Sequence, residues 1–340
     1  MRIAACGVCA TDLHVVDGEL PEPVPLVLGH EASGVVVETG PGVDDPGVGS
    51  HVVLALVPSC GRCRACRLGR PNFCEHGSRM AATGTLADGT SRLSLDGTHL
   101  HHFNAISSFA EYAVVPASSA VPIRADVPLD VAALVGCAVL TGYGAVVRTA
   151  AVEPGRSVAV WGCGGVGLNV VQAARLAGAA AVVAVDVNAD KLAAARALGA
   201  TAVVDASGAD PVSAVRDLSD GGVDYAFEAI GREESIRQAW SAARSGGTVV
   251  VVGMVPKGTQ ISIDPWHFIE EKTLKGCFLG SARIRVDVPR ILDHYAAGRL
   301  QLDELVSERI PLMGLQAAFD QLRRGNGLRR LVVFPDRPPP

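Results

Sequence analysis

The sequence predicts an α/β protein of two units, a mostly β unit and a unit built on a doubly wound parallel sheet. Three observations predict it. Ahead of about residue 125, Gly and Pro cut the chain into short β-type runs. From about Val139, such runs alternate with helical stretches of ten or more residues, the rhythm of strands joined by helical crossovers. A glycine-rich turn, Gly162-x-Gly164-x-x-Gly167, follows the first of those strands and opens a helix. A length of 340 residues suits roughly two domains.

In the first part the β-type runs are Gly34–Glu38, His51–Val57 and Ala110–Val115. The stretch Gly77–Ser108 has little regular pattern; a connection that long in a compact domain is expected to pack against something. Beyond Val139, Ser157–Trp161 reads as a strand, Val166–Ala177 as a helix and Ala181–Val185 as a strand. Ala189–Leu198 reads as a helix, and Thr201–Val204, Val223–Phe227, Thr248–Gly253 and Thr273–Leu279 as strands. Val286–Ala297 is an amphipathic helix, and another carries Leu315, Phe319 and Leu322 on one face. Arg329–Phe334 closes the fold and the Pro338–Pro340 tail is expected to fray. There is no internal repeat.

Hydrophobic residues make up 49% of the chain and aromatics only 4%, so apolar burial rests on Val, Leu, Ile and Ala. A net charge of −5 gives no general attraction to nucleic acid or an anionic membrane. The basic run Arg323-Arg324 with Arg329-Arg330 reads as a solvated helix end and strand start. No apolar run approaches the ~18 residues of a membrane span. The start does not resemble a signal peptide, because the uncharged stretch after Arg2 carries Cys6 and Cys9 and stops at Asp12. A cytoplasmic location is expected, where nine cysteines hold metal more readily than they form a disulfide framework.

Cys60, Cys63, Cys66 and Cys74 stand as C-x2-C-x2-C-x7-C. Four thiolates so close can close a tetrahedral shell around zinc without help from distant parts of the chain. Gly61, Gly69 and Pro71 permit a tight loop, and nearby arginines favour deprotonated sulfur. An iron–sulfur cluster is the rival reading. Either way all four positions are filled by protein, so such a metal is structural.

The turn at Gly162, Gly164 and Gly167 is of the kind that seats a dinucleotide pyrophosphate on a helix N-terminus, although glycine patterns are frequent in a chain with 38 of them. Asp186 ends the next strand, where a carboxylate accepts hydrogen bonds from an adenosine ribose. It would repel a 2′-phosphate, so NAD is favoured over NADP. Lys191 is placed to assist at the ribose, or is a solvated helix lysine. Three further features lie far apart: Cys9 in CGVCATDLH, His30-Glu31 after a glycine, and Cys137 in GCAVLTGYG. Two thiolates and an imidazole suit a catalytic zinc with one open position, but spacing alone does not join them. Lone buried Cys or His residues are more often structural.

The blocks GVCATD, LGHEASGVV, the cysteine quartet, GTLADGTSRL, HHFNAISSFAEYAVV, GCAVLTGYGA, GCGGVGL, AVDVNADKL and GGVDYAFEAIG run in the order seen in zinc-containing medium-chain alcohol dehydrogenases. The chain resembles that family from Arg2 to Phe334, most nearly the branch of animal alcohol dehydrogenases and thiol-linked formaldehyde dehydrogenases. The resemblance implies a GroES-like catalytic domain from residues 1–138 and 280–340, N-terminally short, and a Rossmann NAD-binding domain from residues 139–279. It implies a catalytic zinc on Cys9, His30 and Cys137 with Glu31 behind it, and a structural zinc on Cys60, Cys63, Cys66 and Cys74. Asp12 would hold the free nitrogen of His30. Thr11 would touch the substrate oxygen, and His14 would carry its proton towards solvent. Thr141, Gly165, Val166, Val252, Gly253, Met254 and Arg329 match cofactor-contact positions. Cys6, Cys163 and Cys277 match no ligand, and His99, His101 and His102 lie in a shared loop block rather than a metal site.

The activity so implied is oxidation of alcohols, or of thiol-hydroxymethyl adducts, to aldehydes or ketones with hydride transfer to NAD, and the reverse. Pocket shape would depend on Leu20, Leu56 and the 77–108 loop. The resemblance also implies homodimers, sometimes tetramers, formed near Thr273–Leu279. Two departures stand out. Relatives carry about thirty more residues ahead of Arg2: either the start is assigned inside the gene, or the domain lacks those strands and leaves strand edges uncovered. Ala10 replaces an Arg or His that reaches the cofactor pyrophosphate in many relatives. The alternatives are a zinc- and NAD-binding protein without turnover and a zinc-free quinone reductase.

Overall fold

The computed structural model describes residues 1–208 and 210–335. The chain first lays down β1 (Arg2–Gly7), β2 (Leu26–Val27), β3 (Ala32–Val35), β4 (His51–Leu54), β5 (Leu93–Leu95), β6 (Thr98–His102) and β7 (Ala120–Pro122). It then forms β8 (Ser157–Trp161), β9 (Ala181–Asp186), β10 (Ala202–Asp205), β11 (Val223–Glu228), β12 (Ala243–Val251) and β13 (Thr273–Gly276). It finishes with β14 (Val306–Ile310) and β15 (Arg329–Val333). Two compact units result. One holds Met1–Leu140, Ala282–Gly298 and the chain from Leu302 onward; the other holds Thr141–Ser281 with Arg299–Gln301.

The first unit is built on a six-stranded sheet in the order β14-β15-β1-β3-β4-β7. Only β14 and β15 run parallel; the other pairs are antiparallel. Its core gathers Ile3, Val52, Leu54, Ile106, Phe319 and Val332, all buried. Phe109 meets Phe319 edge to face at 6.3 Å, which adds to simple area burial.

Here the strand expectations are only partly met. Ala110–Val115 forms no strand. Tyr112 makes one isolated bridge to Arg2, and Ile3 and Ala113 donate to Glu111 and Met1 carbonyls. Pro116 lacks the N–H needed to extend the ladder and ends the run. In the 77–108 stretch, Glu75–Thr83 is a helix that buries Gly77 and Met80 and stops at Gly84 in the left-handed conformation. The hairpin β5–β6 follows it. Met80, Leu86 and Ala105 make a small core of their own, so the segment does pack against itself.

The second unit is an all-parallel sheet in the order β10-β9-β8-β11-β12-β13. Counted along the chain this is third, second, first, fourth, fifth, sixth, the doubly wound dinucleotide-binding order. Its central strands read as unbroken apolar runs because both faces are covered. Val158, Val160, Trp161, Val182 and Val185 are all buried. Helices Gly165–Leu176, Ala189–Ala197, Pro211–Asp217 and Glu233–Ala242 form the crossovers. Asn188 and Asp210 cap the second and third by accepting backbone N–H groups.

β12 starts at Ala243, earlier than expected, and β13 ends at Gly276, where the backbone approaches a left-handed turn at Leu279. Among the described residues no single helix is long and apolar enough to cross a membrane. The Pro338–Pro340 tail lies outside the described residues.

Candidate metal centre and dinucleotide site

Cys9 is the residue before the helix Ala10–Val16, and His30 follows Gly29 just before β3. Cys137 joins the turn Ala133–Gly136 to the helix Ala138–Gly144. All three side chains are buried, and their ligand atoms lie within 4.8 Å of one another. Asp12 sets the imidazole: its Oδ1 accepts from His30 Nδ1 at 3.1 Å and from the Gly29 N–H at 3.0 Å. That leaves His30 Nε2 buried with no hydrogen-bond partner among the described residues. An unpaired buried polar atom costs about 1–3 kcal/mol unless something satisfies it. Beside two sulfurs, a soft cation such as zinc would satisfy it.

The two sulfurs shift in opposite directions. The Cys9 thiol is held well below its usual range by the hydrogen bond from Cys137, against burial and with help from His30. Cys137 is pushed well up by the same contact and by burial. Burial opposes charge on His30, but Asp12 and Cys9 prevail and raise it well above the usual imidazole value.

Glu31 lies outside this three-donor group. Its Oε2 accepts from the Ala138 N–H at 2.9 Å, and its Oε1 is gripped by Arg329. Burial pushes the Glu31 carboxyl up while Arg329 holds it down. Sequence reading set Glu31 with the metal and Arg329 with the cofactor; in the fold they are partners, both buried. Arg329→Ala would leave a carboxylate buried without its counter-charge. It is expected to cost about 3–5 kcal/mol, read as a lower urea midpoint, whereas loss of an exposed pair would be nearly silent.

Thr11 and His14 stand three residues apart on the Ala10–Val16 helix and so share a face. Cys9 Sγ contacts Thr11 Oγ1 at 3.6 Å, and His14 Nδ1 meets Glu19 Oε2 at 2.5 Å on the more exposed side. The pair therefore runs from the buried donors towards solvent.

The sulfurs of Cys60, Cys63, Cys66 and Cys74 form a second group, again within 4.8 Å of one another. Gly61 and Gly69 take left-handed conformations that fold the loop. Backbone N–H groups of Cys66 and Glu75 bring the Cys63 thiol down to about 6, while burial and contact with Cys63 push Cys66 up to about 12. Four sulfurs around one ion would leave no place for a substrate. Among the described residues Cys6, Cys163 and Cys277 join neither group.

In the second unit, Gly162 turns the chain out of β8 and Gly164 leads into the helix Gly165–Leu176 with no side-chain cap. The first N–H groups of that helix are thus available to an anion. A Cβ on Gly164 would meet nothing within 4 Å, so the backbone is open to close approach there. Asp186 ends β9. Its Oδ2 accepts from the Cys163 N–H at 2.7 Å and its Oδ1 from the Asn188 N–H at 2.9 Å, tying the carboxylate to the glycine turn. Lys191 is half-buried in the first turn of the next helix, Thr141 is buried and Val166 is half-buried. Val252 and Gly253 follow β12, donating from N–H to the Glu228 carbonyl at 2.8 and 2.9 Å, and Met254 is exposed. These features fit a dinucleotide with its adenosine ribose at Asp186.

Two family profiles match the chain: an alcohol dehydrogenase GroES-like domain over residues 1–125 and a zinc-binding dehydrogenase over residues 165–297. Among solved structures, an alcohol dehydrogenase zinc-binding domain protein from Burkholderia ambifaria is 37% identical, with a TM-score of 0.94 over 98% of this chain and 90% of that one. Benzyl alcohol dehydrogenase from Acinetobacter calcoaceticus is 34% identical, with a TM-score of 0.90 over 98% and 91%. A zinc-binding dehydrogenase from Sinorhizobium meliloti 1021, bound to NADP, is 33% identical, with a TM-score of 0.82 over 98% and 91%.

Proposed function

Because this chain belongs to the zinc-binding medium-chain alcohol dehydrogenase family, we propose that it oxidises alcohols to aldehydes or ketones with NAD, and catalyses the reverse. The observation that carries this reading is the buried trio Cys9, His30 and Cys137, with His30 Nε2 left without a hydrogen-bond partner among the described residues. Those three residues would hold a catalytic zinc, and Cys60, Cys63, Cys66 and Cys74 a structural one, zinc rather than iron–sulfur being favoured by the family. Bound at the trio, zinc supplies Lewis-acid polarisation of the substrate oxygen. NAD, on the glycine turn, supplies the hydride acceptor.

The chain's own residues do the rest. Asp12 keeps the proton on His30 Nδ1, so the Nε2 lone pair faces the sulfurs. Thr11 accepts the alcohol's proton as it gives up its own hydroxyl proton, which His14, paired with Glu19, passes outward. His14→Ala is expected to slow alcohol oxidation by roughly 10-fold or more, with added imidazole restoring part of the rate, since such relays contribute ~10²–10⁴. A rate unchanged by that substitution would exclude the relay.

Asp186 favours NAD, even though one structural neighbour binds NADP. Asp186→Ala is expected to lower the ratio of kcat/KM for NAD over NADP by roughly 10-fold or more, the worth of a charged hydrogen bond. An unaltered ratio would remove the basis for the preference. We place the protein in the cytoplasm, in keeping with nine free thiols, and assign it a homodimer through the edge strand β13. Trp266, Phe268 and Ile269 lie exposed just ahead of that strand.

Benzyl alcohol is the first substrate to try, with ethanol and a hydroxymethyl-thiol beside it. The proposal expects NADH to form from at least one of them, in a protein carrying two zinc ions per chain, one for each donor group. Full zinc loading with no NADH from any alcohol or adduct would favour a binding role without turnover, which nothing in the site supports.

A further inference from the structure

Glu228 ends β11 and is fully buried, yet no role in the chemistry above falls to it. Its Oε1 accepts three hydrogen bonds, from Ile230 N–H at 2.9 Å, Gly231 N–H at 2.7 Å and Ser235 Oγ at 2.8 Å. Its backbone carbonyl accepts the Val252 and Gly253 N–H groups. One residue thus ties the turn after β11 to the turn after β12. The turn after β11 packs closely against glycines on either side of it. A Cβ on Gly253 would stand 2.2 Å from Gly231 N, and one on Gly162 would stand 2.6 Å from Ile230 Cγ1. The Ala229–Gly231 turn is therefore wedged between the glycine-rich turn and Val252–Met254.

The sheet order says which part of a dinucleotide this serves. β9, with Asp186, lies on one side of β8, and β11 and β12 lie on the other. A doubly wound sheet splits its ligand at that central strand, one mononucleotide to each half. With the adenosine ribose at Asp186, the nicotinamide half falls to the turns after β11 and β12. We propose that Glu228 is the positioning residue for the nicotinamide half of NAD, acting through the Ala229–Gly231 and Val252–Gly253 turns without touching the cofactor. This inference rests on the NAD reading above.

The test compares two ligands on the intact protein: NADH, which needs both halves, and 5′-AMP, which needs only the Asp186 half. Glu228→Ala strands the buried Gly231 N–H and removes the partner of the Ile230 N–H and the Ser235 hydroxyl; it is expected to weaken NADH binding by roughly 10-fold or more while leaving AMP within about twofold. Glu228→Gln keeps an acceptor oxygen and is expected to bind NADH within about threefold of the unaltered protein. Ser235→Ala removes one donor of the three; it decides the matter should Glu228→Ala fail to fold, with NADH weakened about threefold and AMP unchanged.

Parallel loss of NADH and AMP in a folded variant would make Glu228 a purely structural residue and overturn the inference. NADH binding unaffected by Glu228→Ala would overturn it too, leaving the NAD reading intact. An unaltered protein that bound neither nucleotide would sink both.

Discussion

His30→Ala is expected to remove alcohol oxidation almost completely, with kcat/KM down by ~10⁴ or more, while zinc content falls from two ions per chain to one. The reason is geometric. His30 is the sole nitrogen donor in its group, and Cys9 and Cys137 alone cannot hold a tetrahedral ion with a position open for substrate. Asp12 keeps its hydrogen bond from the Gly29 N–H, so the local fold has a reason to persist when the imidazole goes. The cysteine quartet shares no residue with the trio and is expected to keep its ion. Atomic absorption and a steady-state assay on the same sample read both outcomes. A variant that kept both zinc ions and its activity would dissolve the assignment.

Gly167→Val is expected to abolish NADH binding and unfold or loosen the parallel-sheet unit, while both zinc ions stay bound. A Cβ at Gly167 would stand 1.7 Å from the Gly162 carbonyl oxygen, a clash of backbone with side chain that no rotamer relieves. The helix Gly165–Leu176 would have to move off β8, uncovering Val160 and Leu168, and overpacking of that kind costs about 3 kcal/mol or more. Gly164 offers the contrast. Its Cβ would meet nothing, so Gly164→Ala should leave stability unchanged and weaken only the approach of the pyrophosphate. Denaturation curves and NADH fluorescence separate the two. Equal stability loss at both glycines would mean that neither close approach is as described.

How much of this was legible in the sequence depended on how local each signal was. Ser157–Trp161 matches β8 to the residue, because a strand covered on both faces must be apolar throughout. The mostly β unit was harder to read. Ala110–Val115 has strand composition but lies beside β1 with a single bridge, and the helix Glu75–Thr83 carries only Met80 as a large buried residue. Gly84 at its end was the signal that could have found it.

The cysteine quartet was readable from spacing because one loop supplies every donor. Cys9, His30 and Cys137 come from three separate parts of the chain, and only family resemblance joined them before the fold did. The Glu31–Arg329 pair and the hub at Glu228 depend on register between distant strands.

Cobalt substitution puts the central claim to the most direct test. With Co²⁺ in place of zinc, the Cys9–His30–Cys137 group should add to the quartet a second tetrahedral thiolate spectrum. It should shift when an alcohol or imidazole enters the free position, and vanish in Cys137→Ala. A visible spectrum that ignores added alcohol and is identical in Cys137→Ala would place all the metal in the quartet and contradict a catalytic ion at the trio.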